Sequence, residues 1–235
     1  MLCKIADLIA EIPAAGGMAS RCKDYLYEGA GKPQIVIREE DYRPERWSQL
    51  SGEGLCYMDS GLIFYVQLLQ HDGLMLHSSA IELDGKAYLF SGDSGAGKST
   101  HTSLWTQKFG PAARIFNDDK PALRFIDGRW YAYGTPWSGK NGINENIRVP
   151  LAGICFLKKA PLNRIRRLDP REAVMHIVRQ TQRRFQRIEN LDLMLHQVER
   201  LLQSIPVFEL ENRPEQEAVR LSYETMRRCA EEMGL

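Results

Sequence analysis

Several diagnostic features are missing from this chain of 235 residues. Its five cysteines, Cys3, Cys22, Cys56, Cys155 and Cys229, are odd in number and scattered, with no C-x-x-C pair. That spacing argues against a disulfide framework and against a thiolate zinc site. Net charge is almost absent: 31 Lys and Arg against 30 Asp and Glu leave a formal +1. Overall attraction to nucleic acid or to a membrane surface is therefore not expected. No apolar run approaches the roughly 18–20 residues of a membrane-crossing helix. The opening Met1-Leu2-Cys3-Lys4-Ile5-Ala6-Asp7 carries charges inside its short apolar stretch, unlike a secretory leader. There is no internal repeat and no low-complexity segment. The expectation is a cytoplasmic, reduced setting, with neither nucleic acid nor membrane as partner.

What is present is ordinary globular material, 43% hydrophobic and 26% charged, in a length that suits one sizeable core. The pattern predicts one domain over residues 1–235 in three parts: a lead-in over 1–70, a core over 71–160 and a helical C-terminal part over 161–235. The lead-in reads as irregular, with strand-like pieces such as Gln34–Arg38, and its apolar segment Leu62–Leu69 fits a helix packed on a sheet. Strands are expected at Leu74–Ile81, Ala87–Ser91, Ala113–Phe116, Ala122–Ile126, Trp130–Tyr133, Leu151–Leu157 and Val207–Leu210. Asp84-Gly85 and Asp127-Gly128 mark hairpin turns. Amphipathic helices are expected at Pro170–Arg184, Ile188–Ser204 and Pro214–Glu232, with Leu191, Leu195, Val198 and Leu202 as core.

The most informative segment is Gly92-Asp93-Ser94-Gly95-Ala96-Gly97-Lys98-Ser99, a Walker A loop between a strand and a helix expected from Lys98 to Lys108. Its glycines let successive N–H groups curl toward an anion, and the helix N-terminus adds partial positive charge. In such a loop Lys98 reaches the β- and γ-phosphates of ATP. Ser99 places its hydroxyl on Mg2+, and Thr100 continues the binding segment. The motif arises by chance in roughly one chain of this length in a hundred. It speaks for nucleotide binding and is silent on chemistry.

A kinase also needs acidic oxygens for the metal and for the acceptor proton. Asn117-Asp118-Asp119, after the apolar Ala113–Phe116, is the candidate. Adjacent residues at a strand end point to opposite sides, so one carboxylate can face metal and the other the acceptor. His77, on the strand before the loop, is a third candidate, although a lone strand histidine is more often structural. His101 reads as packing or support.

His77, the glycine loop and Asp118-Asp119, in that order, resemble the catalytic core of the HPr kinase/phosphorylase family, related in fold to the phosphoenolpyruvate carboxykinases. The resemblance implies an α/β fold with a P-loop core, a mixed sheet, a small β-rich lead-in and C-terminal helices. It implies His77 near the phosphates, Lys98 on them, Ser99 and Asp118 at magnesium, and Asp119 as base toward a hydroxyl. Asn146-Ile147-Arg148 resembles the family's Glu-Ile-Arg-Gly segment and would put Arg148 on phosphate charge, though Asn146 stands where the family has a metal-binding Glu. Ser78 also replaces the family's usual glycine, and the likeness spans roughly residues 74–157. It fits compact relatives without the large N-terminal domain, and relatives in the family often form homo-oligomers.

The stretch Gly134–Gly142 is too rich in glycine, aromatic and polar residues for a strand. It reads either as an acceptor loop, with Trp137 for stacking and Lys140 and Asn141 for polar contacts, or as a surface loop folded onto the body. The arginines between Arg164 and Arg187 read either as a receiver for an acidic peptide or negatively charged acceptor or, more simply, as the solvated face of a helix. Together these features predict an ATP- and magnesium-dependent kinase acting on a hydroxyl of a peptide, a protein or a small molecule. A carboxykinase-like phosphotransferase and a non-catalytic nucleotide-binding module are the alternatives.

Overall fold

The computed structural model describes residues 1–47, 49–50, 52–181 and 188–235. In chain order, β1 (Leu2–Ile5), β2 (Leu8–Glu11), the short α1 (Met18–Arg21), β3 (Ile35–Val36) and α2 (Gly52–Leu68) come first. The middle of the chain carries β4 (Gly73–Met75), β5 (Ser78–Leu83), β6 (Lys86–Ser91), α3 (Lys98–Phe109), β7 (Ala113–Asp119), β8 (Ala122–Ile126), β9 (Arg129–Tyr133) and β10 (Arg148–Lys159). The rest comprises β11 (Arg164–Arg167), α4 (Pro170–Gln180), α5 (Ile188–Ser204), β12 (Val207–Asn212) and α6 (Gln216–Glu232).

Two-residue turns build the hairpins. Asp84-Gly85 (φ 54° and 72°) joins β5 to β6, and Asp127-Gly128 (φ 50° and 80°) joins β8 to β9. Positive φ at both central residues matches the right-handed twist of the flanking strands, which is why Asp-Gly marks such turns. Ala6-Asp7 (φ 52° and 60°) makes the same turn between β1 and β2 with no glycine. This hairpin, with β3 parallel to β2, forms a three-stranded sheet, so the lead-in is more regular than its sequence suggests.

The main sheet is mixed and curled, and its long strand β10 carries the curl. The first residues of β10 pair antiparallel with β9, while its later residues run parallel to β6 on one edge and to β12 on the other. Among the described residues the order is β4-β8-β9-β10-β6-β5-β7, with β12 beside β10 and β11 beside β12. Helices cover both faces of the β6–β10–β12 region. On one side Trp105 of α3 and Val219 and Met226 of α6 pack on Tyr88, Phe90 and Phe208. On the other, Ile177 of α4 and Met194, Val198 and Leu201 of α5 pack on Leu89, Ile154 and Phe156. Each large apolar side chain so buried contributes about 1.5–3 kcal/mol relative to exposure. A further cluster joins the N-terminal sheet to α2 and to the β8–β9 hairpin through Tyr25, Phe64, Tyr65, Tyr133 and Trp137.

Several boundaries differ from the sequence expectation. The strand expected over Leu74–Ile81 is interrupted at Leu76 and His77, between β4 and β5. The arginine run is not one helix face. Arg164–Arg167 is strand β11, where Arg166 pairs with Glu172 at 2.9 Å and Glu209 at 3.1 Å. Arg171 and Arg179 lie on α4, and Arg183, Arg184 and Arg187 lie outside the described residues. The start of α4 follows from an Asp169–Glu172 capping box with Pro170 in the first turn. On α5 the buried stripe is Met194, Val198 and Leu201, while Leu191 and Leu195 are exposed.

Candidate active site

Strand register brings three separate segments to one end of the sheet. Ser78 of β5 pairs with Ser91 of β6 on one side and with Asp119 of β7 on the other. The residue before Ser78, the loop after Ser91 and the last residue of β7 must therefore meet. His77 is fixed there by its backbone: its N–H donates to the Gln180 carbonyl at 2.7 Å, and its carbonyl accepts from Ser91 Oγ at 2.8 Å.

The loop Gly92–Gly97 turns from β6 into α3 with φ of 140°, 80° and 103° at Gly92, Gly95 and Gly97. A side chain at Gly92 would also press on the Leu157 carbonyl, 3.0 Å from the Cβ position. Lys98 folds back over the loop, its Nζ donating to the carbonyls of Gly92 at 2.8 Å and Asp93 at 3.2 Å. Burial lowers its pKa, and the surrounding Asp119, Asp118 and Asp93 oppose that effect. Ser99 Oγ donates to Asp118 Oδ1 at 3.0 Å, and Asn141 Nδ2 donates to Asp118 Oδ2 at 2.7 Å. Ser94, Ala96 and Thr100 complete the loop and the first turn of α3.

Asp118 and Asp119 point to opposite sides, as alternation along a strand requires. Asp119 Oδ2 accepts from Lys120 Nζ at 2.7 Å and from the Tyr57 hydroxyl at 3.2 Å, while Oδ1 lies 3.3 Å from His77 Nε2. Burial alone would raise the Asp119 pKa. The hydrogen bond from His77 and the Lys120 ammonium outweigh it and hold the carboxyl down at about 2. Burial likewise acts to lower Lys120, and Tyr57 and Asp119 together hold its pKa up. Asn117, fully buried, donates to the Thr135 carbonyl at 3.0 Å and accepts from the Lys120 N–H at 2.9 Å, which fixes the turn carrying these groups.

Two residues without a local sequence signal complete the cluster. Gln180, the last residue of α4, accepts from His77 Nδ1 at 3.0 Å and donates to Asp93 Oδ1 at 2.9 Å, tying the histidine to the glycine loop. The Tyr57 hydroxyl, on α2, accepts from the Gly139 N–H at 2.9 Å and from Lys120 Nζ at 3.3 Å while donating to Asp119. Nothing in the local sequence distinguishes either residue. Lys120, next to the acidic pair, could have been found by position.

Two cavities adjoin residues of this region. One of about 520 Å³ follows the loop and α3 from Gly95 to His101 and is closed by Lys159, Asn212 and Arg213. The other, about 820 Å³, has Asp119 and Lys120 in its wall, together with Tyr57, Arg21, Arg46 and Lys140. Both sizes lie within the range of small-molecule sites.

Other expected residues fall elsewhere. Arg148 begins β10, whereas Phe156 of the same strand is the residue paired with Ser91. Eight residues of strand separate Arg148 from the loop by about 25 Å. Its guanidinium stacks 3.8 Å from the centre of the Tyr131 ring and meets Asp7 at 3.3 Å, so Arg148 is not part of this cluster. Asn146 donates to the Lys4 and Asp24 carbonyls, and Glu145 pairs with Arg114 at 3.1 Å; neither is beside Ser99. Trp137 is no stacking platform. It is fully buried against Phe64 and Tyr65, with Nε1 donating to Ser60 Oγ at 3.1 Å. Asn141 contacts Asp118 rather than lining the larger cavity, whose rim Lys140 does reach. His101 is packed under α6 against Trp105 and Ser222, and burial lowers its pKa to about 3.

No protein-family model matches the chain, and no curated protein matches it. Among solved structures, an Hpr(Ser) kinase/phosphatase from Coxiella burnetii is similar with a TM-score of 0.40 and 12% identity, over 68% of this chain and 92% of that one. No helix among the described residues is long and apolar enough to cross a membrane.

Proposed function

We propose that this chain is an ATP-dependent phosphotransferase that moves the γ-phosphoryl group to a hydroxyl acceptor. The observation that carries this reading is the position of Asp119, in the wall of the larger cavity and linked through His77 and Gln180 to the glycine loop. A nucleotide would enter along the loop groove. Its phosphates would take over the Lys98 ammonium from the Gly92 and Asp93 carbonyls and receive N–H donors from the loop.

The fit to magnesium rests on the oxygen pair of Ser99 Oγ and Asp118 Oδ1, already 3.0 Å apart. Among the described residues no three His, Cys, Asp or Glu side chains converge as a metal cage. An ion delivered with nucleotide needs none, because Mg2+ takes one or two protein oxygens, phosphate oxygens and water. Bound there, it would neutralise charge on the β- and γ-phosphates.

The chain's own residues would do the rest. Lys98 would draw charge from the transferred group. Asp119, ionised at neutral pH, would accept the acceptor's proton as the new O–P bond forms and the bond to the departing ADP breaks. Lys120 and His77 keep Asp119 charged and aimed.

The test uses labelled ATP and magnesium with a panel of small alcohols and serine peptides, scored for an acid-stable phosphoester. Asp119→Asn should bind ATP as the parent does and lose about 10²–10⁴ in turnover. Parent-like turnover by that variant would refute the assignment. Tight ATP binding by the parent with no transfer to any acceptor, water included, would leave a nucleotide-binding module.

A further inference from the structure

The larger cavity has a charge pattern that its proposed role as acceptor site does not require. Four cations face it, Arg21, Arg46, Lys120 and Lys140, against two carboxylates, Glu53 and Asp119. The Asp119 charge is already matched by Lys120 at 2.7 Å, and His77 Nε2 lies 3.3 Å from its other oxygen. Arg21 lies over the Tyr57 ring, 4.5 Å from its centre, and no ion pair engages Arg21, Arg46 or Lys140 among the described residues. With the Asp119–Lys120 pair set aside, three cations face one carboxylate, Glu53, across this concave wall; such an excess raises the local concentration of anions, and guanidinium groups suit carboxylate and phosphate oxygens in particular. The Tyr57 hydroxyl cannot supply this recognition, since Gly139, Lys120 and Asp119 occupy it.

We propose that this cavity selects a small alcohol bearing an anionic group, carboxylate or phosphate, with the anion on Arg21 and Arg46 and the hydroxyl toward Asp119. The transfer step rests on the kinase reading above; the anion selectivity does not. In that step the alcohol O–H proton goes to Asp119, the alcohol oxygen bonds to the γ-phosphorus, and ADP leaves with the electron pair of the broken P–O bond.

The cavity carries its own reporter. Trp47 lies in its wall, whereas Trp105, Trp130 and Trp137 are 0–1% exposed. Collisional quenching of the intact chain thus reads Trp47. Iodide should quench it more strongly than caesium, and Arg46→Gln should narrow that difference. Without nucleotide, D-glycerate and glycerol 3-phosphate should shield Trp47 from acrylamide, and glycerol should not at tenfold higher concentration. Their relative affinities separate a carboxylate from a phosphate preference. Arg21→Gln and Arg46→Gln should each weaken anion binding about tenfold, Arg21→Lys should recover part of the loss, and unchanged ATP affinity serves as the folding control.

Equal shielding by glycerol, equal quenching by iodide and caesium, or anion binding indifferent to both arginines would overturn the proposal. So would transfer from ATP to neutral alcohols alone, which would leave the kinase reading standing. Arginine-dependent anion binding with no transfer to any alcohol would uphold the selectivity and refute the kinase.

Discussion

The carboxyl of Asp119 links stability to pH in a way that can be worked out in advance. Its pKa falls from the ordinary 3.8 to about 2 in the folded chain, and its side chain is 20% exposed, so solvent screening is modest. That depression corresponds to about 2 kcal/mol of native-state stabilisation. Because the folded pKa is depressed, that stabilisation is complete above 3.8 and fades as pH falls through 2. By linkage, almost none of it is lost at pH 5 and about 1 kcal/mol is lost at pH 3.

Asp119→Asn cannot titrate, so its stability should lack this component. Urea titrations of both proteins should show a stability gap that narrows by about 1 kcal/mol between pH 5 and pH 3. Lys120→Met sharpens the test. Without the ammonium, burial acts on Asp119 with less opposition, so its pKa rises and the pH-dependent part of the gap shrinks. A gap that stays constant from pH 5 to pH 3, or one unaltered by Lys120→Met, would refute the claim that Lys120 and His77 hold Asp119 ionised.

Trp137→Ala should cost about 3–5 kcal/mol of stability by thermal or urea unfolding, because a fully buried ring leaves a void beside Phe64 and Tyr65; weakened acceptor binding by a stably folded variant would contradict its placement. Arg148→Ala should leave phosphoryl transfer within about twofold of the parent and lose about 0.5–1 kcal/mol from its contact with Tyr131, as read by steady-state rates and unfolding. Gln180→Ala removes the acceptor for His77 Nδ1 and the donor to Asp93. It should lower kcat about tenfold at unchanged KM for the acceptor, with Gln180→Glu failing to restore it because a carboxylate cannot donate to Asp93.

What could be read from the sequence was what is local in the chain. The glycine loop, the helix after it and the Asp-Gly hairpins each sit within a dozen residues, where turn chemistry and period decide. Ala6-Asp7 escaped because it forms the same turn from residues that rarely accept positive φ. The opposed directions of Asp118 and Asp119 were also legible, since alternation follows once a strand is assigned. Trp137 was misplaced because an aromatic in a glycine-rich loop looks the same whether it faces a ligand or folds inward onto Ser60 of α2.

The placement of Arg148 follows from strand register. Arg148 follows the loop by some fifty residues and shares β10 with a true neighbour of the loop, yet the pairing of Phe156 with Ser91 sends it to the far end. The same kind of constraint makes the cluster. With Ser78 opposite both Ser91 and Asp119, His77 meets the acidic pair, whereas a slip of one residue in β7 would turn Asp119 toward α3 and Asp118 away from Ser99. Buried faces on both sides of β5 and β6 forbid that slip. Gln180 and Tyr57 reach the site because the packing of α4 and α2 brings them there, 103 and 62 residues from the groups they bind. The pairings of the candidate site are thus a consequence of core packing, and variants that loosen the β5–β7 register should lose the His77–Asp119 contact before they lose the glycine loop.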